Sequence, residues 1–283
     1  MSSPAELKLP SPEAMTQDLA KDLPGFVVPQ WVEQAASTNA SLLALAREKG
    51  THAGWPRLLG THHQTHGKGR LGRSWQDLPG QTLMFSCGFA LGLAAKELSA
   101  LQGLGPALGL QSALALRSLM SAPDRLTVKW PNDLMVDDGK CAGILIELAA
   151  AGRDTVVIVG IGINLSGHQK LENDLCREIG EIGSLMAPAT TASLMVSALA
   201  NAWRETLQTI TSEGFEPFRS AYANLDYLAG QDVKILDQGR VIATGLAAGL
   251  GPDGSLGLMT EQGLQTFHVG DVSARLSKPV GQT

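Results

Sequence analysis

Short apolar runs separated by glycine and proline turns dominate this chain, and helical periodicity interrupts them at a few places. Residues 40–49 follow Ser37-Thr38-Asn39 and stop at Gly50, which predicts a helix with a polar N-cap and a glycine end. Leu58–Thr61 and Thr82–Phe89 predict two strands flanking a glycine-rich stretch. Leu101–Met120 leaves little polar face, predicting a buried helix that starts near Pro106. Thr127–Val136, Lys140–Leu148 and Thr155–Leu165 predict a meander of three strands, turned at Asp137-Asp138-Gly139 and Arg153-Asp154. Pro131 cannot donate to a ladder and should mark a bulge or an edge. Thr191–Glu213 reads as an amphipathic helix, and Phe215–Leu228 contains a second, shorter one.

From Gln231 onward the pattern changes to short strands with Gly turns, which predicts a small all-β barrel without obvious chemistry of its own. The opening residues are rich in Pro, Ser, Asp and Lys; a short helix near 13–23 is expected within an otherwise mobile arm. The expected organisation is an arm over 1–28, a main domain over 29–226 and a barrel over 227–277.

The chain has 283 residues, 44% of them hydrophobic, so a substantial core is expected and global disorder is not. A net charge of −5 disfavours general nucleic-acid binding and makes any basic patch a local feature. Cys87, Cys141 and Cys176 form no Cys-x-x-Cys pair, which suggests a reducing compartment without structural zinc. Neither a signal-peptide pattern nor a bilayer-length apolar run occurs, so a cytoplasmic protein without membrane contact is expected.

The chemistry concentrates in His66-Gly67-Lys68-Gly69-Arg70-Leu71-Gly72-Arg73-Ser74-Trp75. Gly67, Gly69 and Gly72 let the backbone approach a ligand closely, while Lys68, Arg70 and Arg73 bring positive charge to the same place. Such a segment is better ordered around a polyanion than alone, so it reads as a nucleotide-phosphate loop that closes over its ligand; a solvated basic loop is the alternative. Its Gly-x-Gly-x-x-Gly spacing matches the dinucleotide fingerprint but lacks the following helix and acidic residue, and the Walker Gly-Lys-Ser/Thr is absent. His62, His63 and His66 lack the helical frame and the glutamate of a zincin site. Ser37, Thr38 and Asn39 are either caps or ligand contacts. Lys129, Asn132, Asp133, Lys140 and Asn164 interrupt strand ends, and serve either a ligand or solvent-facing turns.

Taken together, Ser37-Thr38-Asn39, Gln64 through Trp75, Lys129-Trp130-Pro131-Asn132-Asp133, Lys140 through Glu147 and Gly160-Ile161-Gly162-Ile163-Asn164 resemble the biotin–protein ligases in order and spacing, from about Trp31 to Leu276. The resemblance implies an α+β fold: a mixed β-sheet flanked by helices, similar to class II aminoacyl-tRNA synthetases, followed by a small SH3-like β-barrel. It implies formation of biotinyl-5′-AMP from biotin and Mg-ATP, then transfer to a lysine of a carboxylase's biotin carrier domain. Ser37, Thr38, Asn39, Gln64, Lys68, Gly69, Arg70 and Lys140 fall at biotin or adenylate positions, with Arg70 and Lys140 as the catalytic pair. Gly67, Gly72, Arg73 and Trp75 complete the phosphate loop. Asn132, Asp133 and Asn164 fall near the nucleotide and its metal, with magnesium entering on ATP rather than in a protein cage. The family more often has Arg in place of Lys68 and a small residue in place of His66. About thirty residues precede the match, so no DNA-binding repressor domain is expected. A homodimer is compatible with the family. Lipoate–protein ligase is the nearest enzymatic alternative, and a non-catalytic biotin sensor the alternative from another class.

Overall fold

The computed structural model describes residues 7–151, 154–167, 178–270 and 272–277. Arg153 and Cys176 lie outside them. Seven strands form the main sheet: β1 (Gln30–Ala35), β2 (Arg57–Gln64), β3 (Thr82–Ala90), β4 (Leu126–Lys129), β5 (Asp133–Val136), β6 (Gly139–Ala151) and β7 (Asp154–Asn164). Their order is β1-β2-β3-β7-β6-β5-β4. The β1–β2 pair is parallel and the others antiparallel, so the sheet is mixed. The helices are α1 (Pro12–Asp22), α2 (Thr38–Lys49), α3 (Leu104–Arg117), α4 (Ala192–Glu213) and α5 (Glu216–Ala223).

β7 shows why its sequence is apolar at consecutive positions. Val157, Val159, Ile161 and Ile163 face a core that also holds residues of α1, α3 and α4. Val156 and Ile158 face the other way, onto Leu42, Leu43 and Ala46 of α2. A strand covered on both faces needs no polar alternation. On the α2 side, apolar cover ends after Ile158, where the next inward-facing positions are Gly160 and Gly162. The sheet opens there into a cleft.

Three expectations change. The run Thr127–Val136 is not one strand but the hairpin β4–β5, registered Leu126↔Val136 to Lys129↔Asp133 and turned at Trp130-Pro131-Asn132. Pro131 therefore occupies a turn, where its missing N–H costs no ladder bond. The meander has four strands rather than three. α3 begins at Leu104, with Pro106 inside its first turn, and residues 95–101 form a separate 3-10 segment. The opening residues are not a loose arm from residue 7 onward: Met15 and Leu19 are fully buried in the main core, and Thr16 Oγ1 accepts from Trp31 N at 3.0 Å.

Five antiparallel strands follow: β8 (Asp232–Asp237), β9 (Arg240–Leu250), β10 (Leu256–Thr260), β11 (Gly263–Phe267) and β12 (Val272–Leu276), in the order β11-β10-β9-β8-β12. This SH3-like unit has its own core of Val233, Ile235, Ala247, Leu256, Leu258 and Ala274. Trp130, from the β4–β5 turn, is part of that core and donates from its indole to the Gly254 carbonyl at 3.1 Å.

Candidate active site

Cross-strand register builds the cleft floor. One row runs Met84, Gly162, Gly143, Asp133 and Lys129, and the next runs Ser86, Gly160 and Leu145. Glycine is required on this floor. A Cβ on Gly162 would stand 2.5 Å from the Trp75 indole, and one on Gly160 would stand 2.0 Å from Asn39 Oδ1. Trp75 and Asn39 thus lie directly on backbone that any side chain would hold away. The cleft is partly open to solvent and is lined by residues of the main sheet, the glycine-rich loop and the barrel.

One wall is the glycine-rich loop. It carries bonds of its own, from Gly69 N to the Arg73 carbonyl (2.7 Å) and from Trp75 N to the Gly67 carbonyl (2.9 Å). These pair its two arms, and the tip turns with Leu71 at φ 58° and Gly72 at φ 70°. Arg70 reaches across the cleft. Its guanidinium donates to Asn132 Oδ1 (3.2 Å) and to the carbonyls of Gly270 (2.6 Å) and Val272 (3.4 Å). The side chains of Lys68 and Arg73 line the cleft without a hydrogen bond or ion pair among the described residues. The Trp75 indole N–H is buried and lacks an acceptor there as well. A buried orphan donor costs free energy until something accepts from it, so this atom points to a ligand acceptor.

Lys140 enters from β6 at its bulge against β5. Its ammonium is 2.5 Å from Asp133 Oδ1 and 5.7 Å from the centre of the Trp75 ring. Lysine and carboxylate here share one small site with an aromatic wall. Behind Asp133 in the register, burial holds the Lys129 ammonium below its ordinary value, while the Asp133 charge opposes that shift.

The far end is neutral and fully hydrogen-bonded. Ser37 caps α2 by accepting from Ala40 N, and its two successors turn inward. Thr38 N donates to Gln64 Oε1 at 2.8 Å, and Thr38 Oγ1 lies 2.7 Å from Ser86 Oγ. Ser86 Oγ donates to Asn39 Oδ1 at 2.5 Å, and Asn39 Nδ2 donates to Glu147 Oε2 at 2.9 Å.

Of the residues singled out by sequence, Ser37, Thr38, Asn39, Gln64, Lys68, Gly69, Arg70, Arg73, Trp75, Asn132, Asp133 and Lys140 line this one cleft. Gly67, Gly72 and Asn164 do not. Asn164 instead donates to the carbonyls of Lys140 and Gly180, both at 3.3 Å, and so fixes the backbone from which Lys140 projects. The Asn132 amide is engaged on both sides, donating to the Ile144 carbonyl while accepting from Arg70. The three histidines go to separate tasks: His62 bridges Trp31 and the Pro10 carbonyl, His63 meets Asp77, and His66 meets Thr65. Cys87 and Cys141 are buried, and burial pushes both thiols above their ordinary value, so neither is a ready nucleophile.

Sequence reasoning missed Ser86, Glu147 and the barrel. A buried serine within a strand of apolar neighbours was a usable signal for Ser86. The barrel was read as chemically empty, yet it supplies two carbonyls to Arg70, and Ser273 and Ala274 line the cleft. Main-chain acceptors have no sequence signature.

A profile of the Biotin/lipoate A/B protein ligase family matches residues 31–164, the segment that builds the floor and most of the walls. The biotin–[acetyl-CoA-carboxylase] ligase of Paracoccus denitrificans is 31% identical over 252 residues, covering 83% of this chain and 96% of that protein. The chain belongs to the biotin–protein ligase family. Among solved biotin protein ligases, that of Aquifex aeolicus in complex with biotin and ATP superposes with a TM-score of 0.70 at 27% identity, covering 88% of this chain and 99% of that one. The bifunctional ligase/repressor of Escherichia coli is 30% identical over 218 residues, which are 75% of this chain but 64% of that protein's length. The chain therefore spans just under two thirds of that relative. In this biotin–protein ligase family member the glycine loop and the Lys-Trp-Pro-Asn-Asp box are separated in sequence, and Arg70 and Asn132 join them through one hydrogen bond.

Proposed function

We propose that this protein is an ATP-dependent biotin–protein ligase, forming biotinyl-5′-AMP with release of pyrophosphate and then transferring biotin to a lysine of a carboxylase's biotin carrier domain. The observation that carries this reading is the polarity of the cleft. Four cations (Lys68, Arg70, Arg73 and Lys140) and one carboxylate (Asp133) line one part, and a neutral hydrogen-bonding floor lines the other. An acyl adenylate has this division, with a phosphate at its centre and an uncharged ring at one end.

In the first step the biotin carboxylate attacks the α-phosphorus, forming the mixed anhydride and breaking the bond to pyrophosphate. Both reactants are anions, so positioned cations lower the barrier more than a base would. Lys140 lies where one ammonium could contact both the attacking carboxylate and the α-phosphate, exchanging its bond to Asp133 for them. Lys68 and Arg73 have no side-chain hydrogen bond or ion pair to give up among the described residues, and would take phosphate charge directly. Arg70 acts from a fixed position, held by Asn132 and the barrel carbonyls. For magnesium, the cleft wall offers one carboxylate among the described residues, Asp133, so the remaining ligands would be phosphate oxygens and water. When bound, the metal would neutralise charge on the leaving pyrophosphate. Trp75 and the loop tip then shield the anhydride from water while the carrier lysine attacks its carbonyl carbon and AMP leaves.

The test is intact mass of a purified biotin carrier domain after incubation with this protein, biotin and Mg-ATP, beside a reaction with lipoate and a lipoyl domain. An ATP-dependent biotinyl gain on one lysine is the expected result. Gain with lipoate alone overturns the substrate. No gain in either, and no biotin-dependent pyrophosphate exchange, overturns the reaction.

A further inference from the structure

Lys129 and Asp133 are the last cross-strand pair of the β4–β5 hairpin, opposite each other before its turn. Residues so paired stand on one face of the sheet with Cβ atoms about 5 Å apart. Asp133 therefore lies between two lysines, Lys129 across the hairpin and Lys140 from β6. Lys140 holds Asp133 Oδ1 at 2.5 Å, and Oδ2 has no hydrogen bond or ion pair among the described residues. Lys129 has neither kind of partner there. Its ammonium stands 5.8 Å from the centre of the Tyr227 ring, and Tyr227 is tied down by Val128 O and Asp138 Oδ1. Burial disfavours the Lys129 charge; among the charges that act on it, Asp133 attracts while Lys140 and Arg275 repel. A cation in this position costs stability if packing is its only task, since an apolar side chain of similar length would fill the same space.

We propose that Lys129 is a positioning residue that takes over the Asp133 carboxylate when Lys140 moves onto the ligand, and so keeps Lys140 there. This rests on the biotin reading above, in which Lys140 exchanges its bond to Asp133 for the reactants. Once pyrophosphate has left, Lys140 still faces the anhydride. Asp133 is then a half-buried carboxylate without its partner, and it draws Lys140 back unless another cation answers it. The flexible four-carbon stem of Lys129 lets its ammonium swing across the register to the open Oδ2. The carboxylate thus passes from one lysine to the other, and the adenylate keeps its cation until the carrier lysine arrives.

The experiment is calorimetric titration of the full chain with biotinyl-5′-AMP, which requires no turnover. Five proteins are compared: wild type, Lys129→Met, Lys129→Arg, Asp133→Asn, and Lys129→Met combined with Asp133→Asn. Methionine keeps the stem against Tyr227 and removes the charge, so the fold is expected to survive. Lys129→Met should weaken the adenylate about ten-fold, and Lys129→Arg, which restores the charge, should stay within about three-fold of wild type. In the Asp133→Asn background Lys140 has no carboxylate to return to, so adding Lys129→Met should change the affinity by less than about two-fold. A direct pull of Lys129 on the phosphate, or a loosening of the site, would give the same loss in both backgrounds. Three results overturn this inference and leave the biotin reading standing: Lys129→Met binding as tightly as wild type, an equal ten-fold loss in both backgrounds, or Asp133→Asn that no longer binds. Wild type that binds no biotinyl-5′-AMP overturns the biotin reading, and this inference with it.

Discussion

Lys140 combines an ion pair, an aromatic neighbour and a place beside the loop, and its contribution to folding is small. The pair with Asp133 is partly exposed on both sides, with side-chain exposures of 22% and 26%, and such pairs contribute about 1 kcal/mol or less. Lys140→Ala is therefore expected to leave the thermal midpoint within a few degrees of wild type. It should slow biotin-dependent pyrophosphate exchange by roughly a hundred-fold or more, the scale of losing one preorganised charge at a reacting centre. Exchange near the wild-type rate would remove Lys140 from the chemistry. Gly162→Ala tests the floor. Its Cβ would come 2.5 Å from the Trp75 indole, so the ring and the loop behind it must lift. The expected result is an adenylate that forms but escapes to hydrolysis, measured as more AMP released per biotin transferred. Unchanged coupling would mean that Trp75 does not seal the site.

At the level of elements, the connection from α5 to β8 is tied back to the edge of the main sheet. Val128 N donates to the Leu225 carbonyl at 2.8 Å, and Tyr227 N donates to the Val128 carbonyl at 2.9 Å. Asp226, between them, accepts from Leu228 N at 2.9 Å, yet burial pushes its carboxyl up to about 6 from an ordinary 3.8. At pH below 3.8 the group is protonated in both folded and unfolded chains and costs nothing. Between 3.8 and about 6 the folded state keeps a proton that the unfolded chain has released, so stability falls as pH rises. Above that window the penalty is complete. Asp226→Asn keeps the acceptor for Leu228 and removes the charge. Urea unfolding should show a gain of about 1–2 kcal/mol near neutral pH, allowing for partial solvent access, and none at about pH 3.5. An equal gain at both values would assign the effect to packing rather than ionisation.

For the whole molecule, the two sheets are joined at the site itself. The β4–β5 turn sends Trp130 into the barrel's core and Asn132 to Arg70, while the barrel returns two carbonyls to that arginine. Trp130→Ala is expected to cost about 3–5 kcal/mol, the scale of deleting a large buried aromatic. Where the variant remains folded, it should lose pyrophosphate exchange more than Lys68→Ala does. Lys68 touches no other group by hydrogen bond or ion pair among the described residues, whereas Trp130 holds the element on which Arg70 rests. A folded Trp130 variant with full exchange would show that the barrel is not needed for the first step.

Local sequence determined most of the elements and the composition of the site. The capped start of α2, the apolar run of β7 and the glycine–cation alternation of residues 66–75 are each set by neighbours in the chain, through backbone propensity and the steric freedom of glycine. The hairpin at Pro131 was not legible as such, because a proline in an apolar run fits a bulge, an edge or a turn equally, and the choice rests on where Trp130 finds its core. Only the tertiary structure decided which polar residues share a space. Ser86 reaches Asn39 across 47 residues of chain, Glu147 reaches it across 108, and Arg70 meets the Gly270 carbonyl across 200. Those distances are closed by sheet register and by packing of the barrel, and the atoms that meet include main-chain carbonyls that every residue carries. Which groups carry charge was written in the sequence; which of them act on one ligand follows from the fold that buries them together.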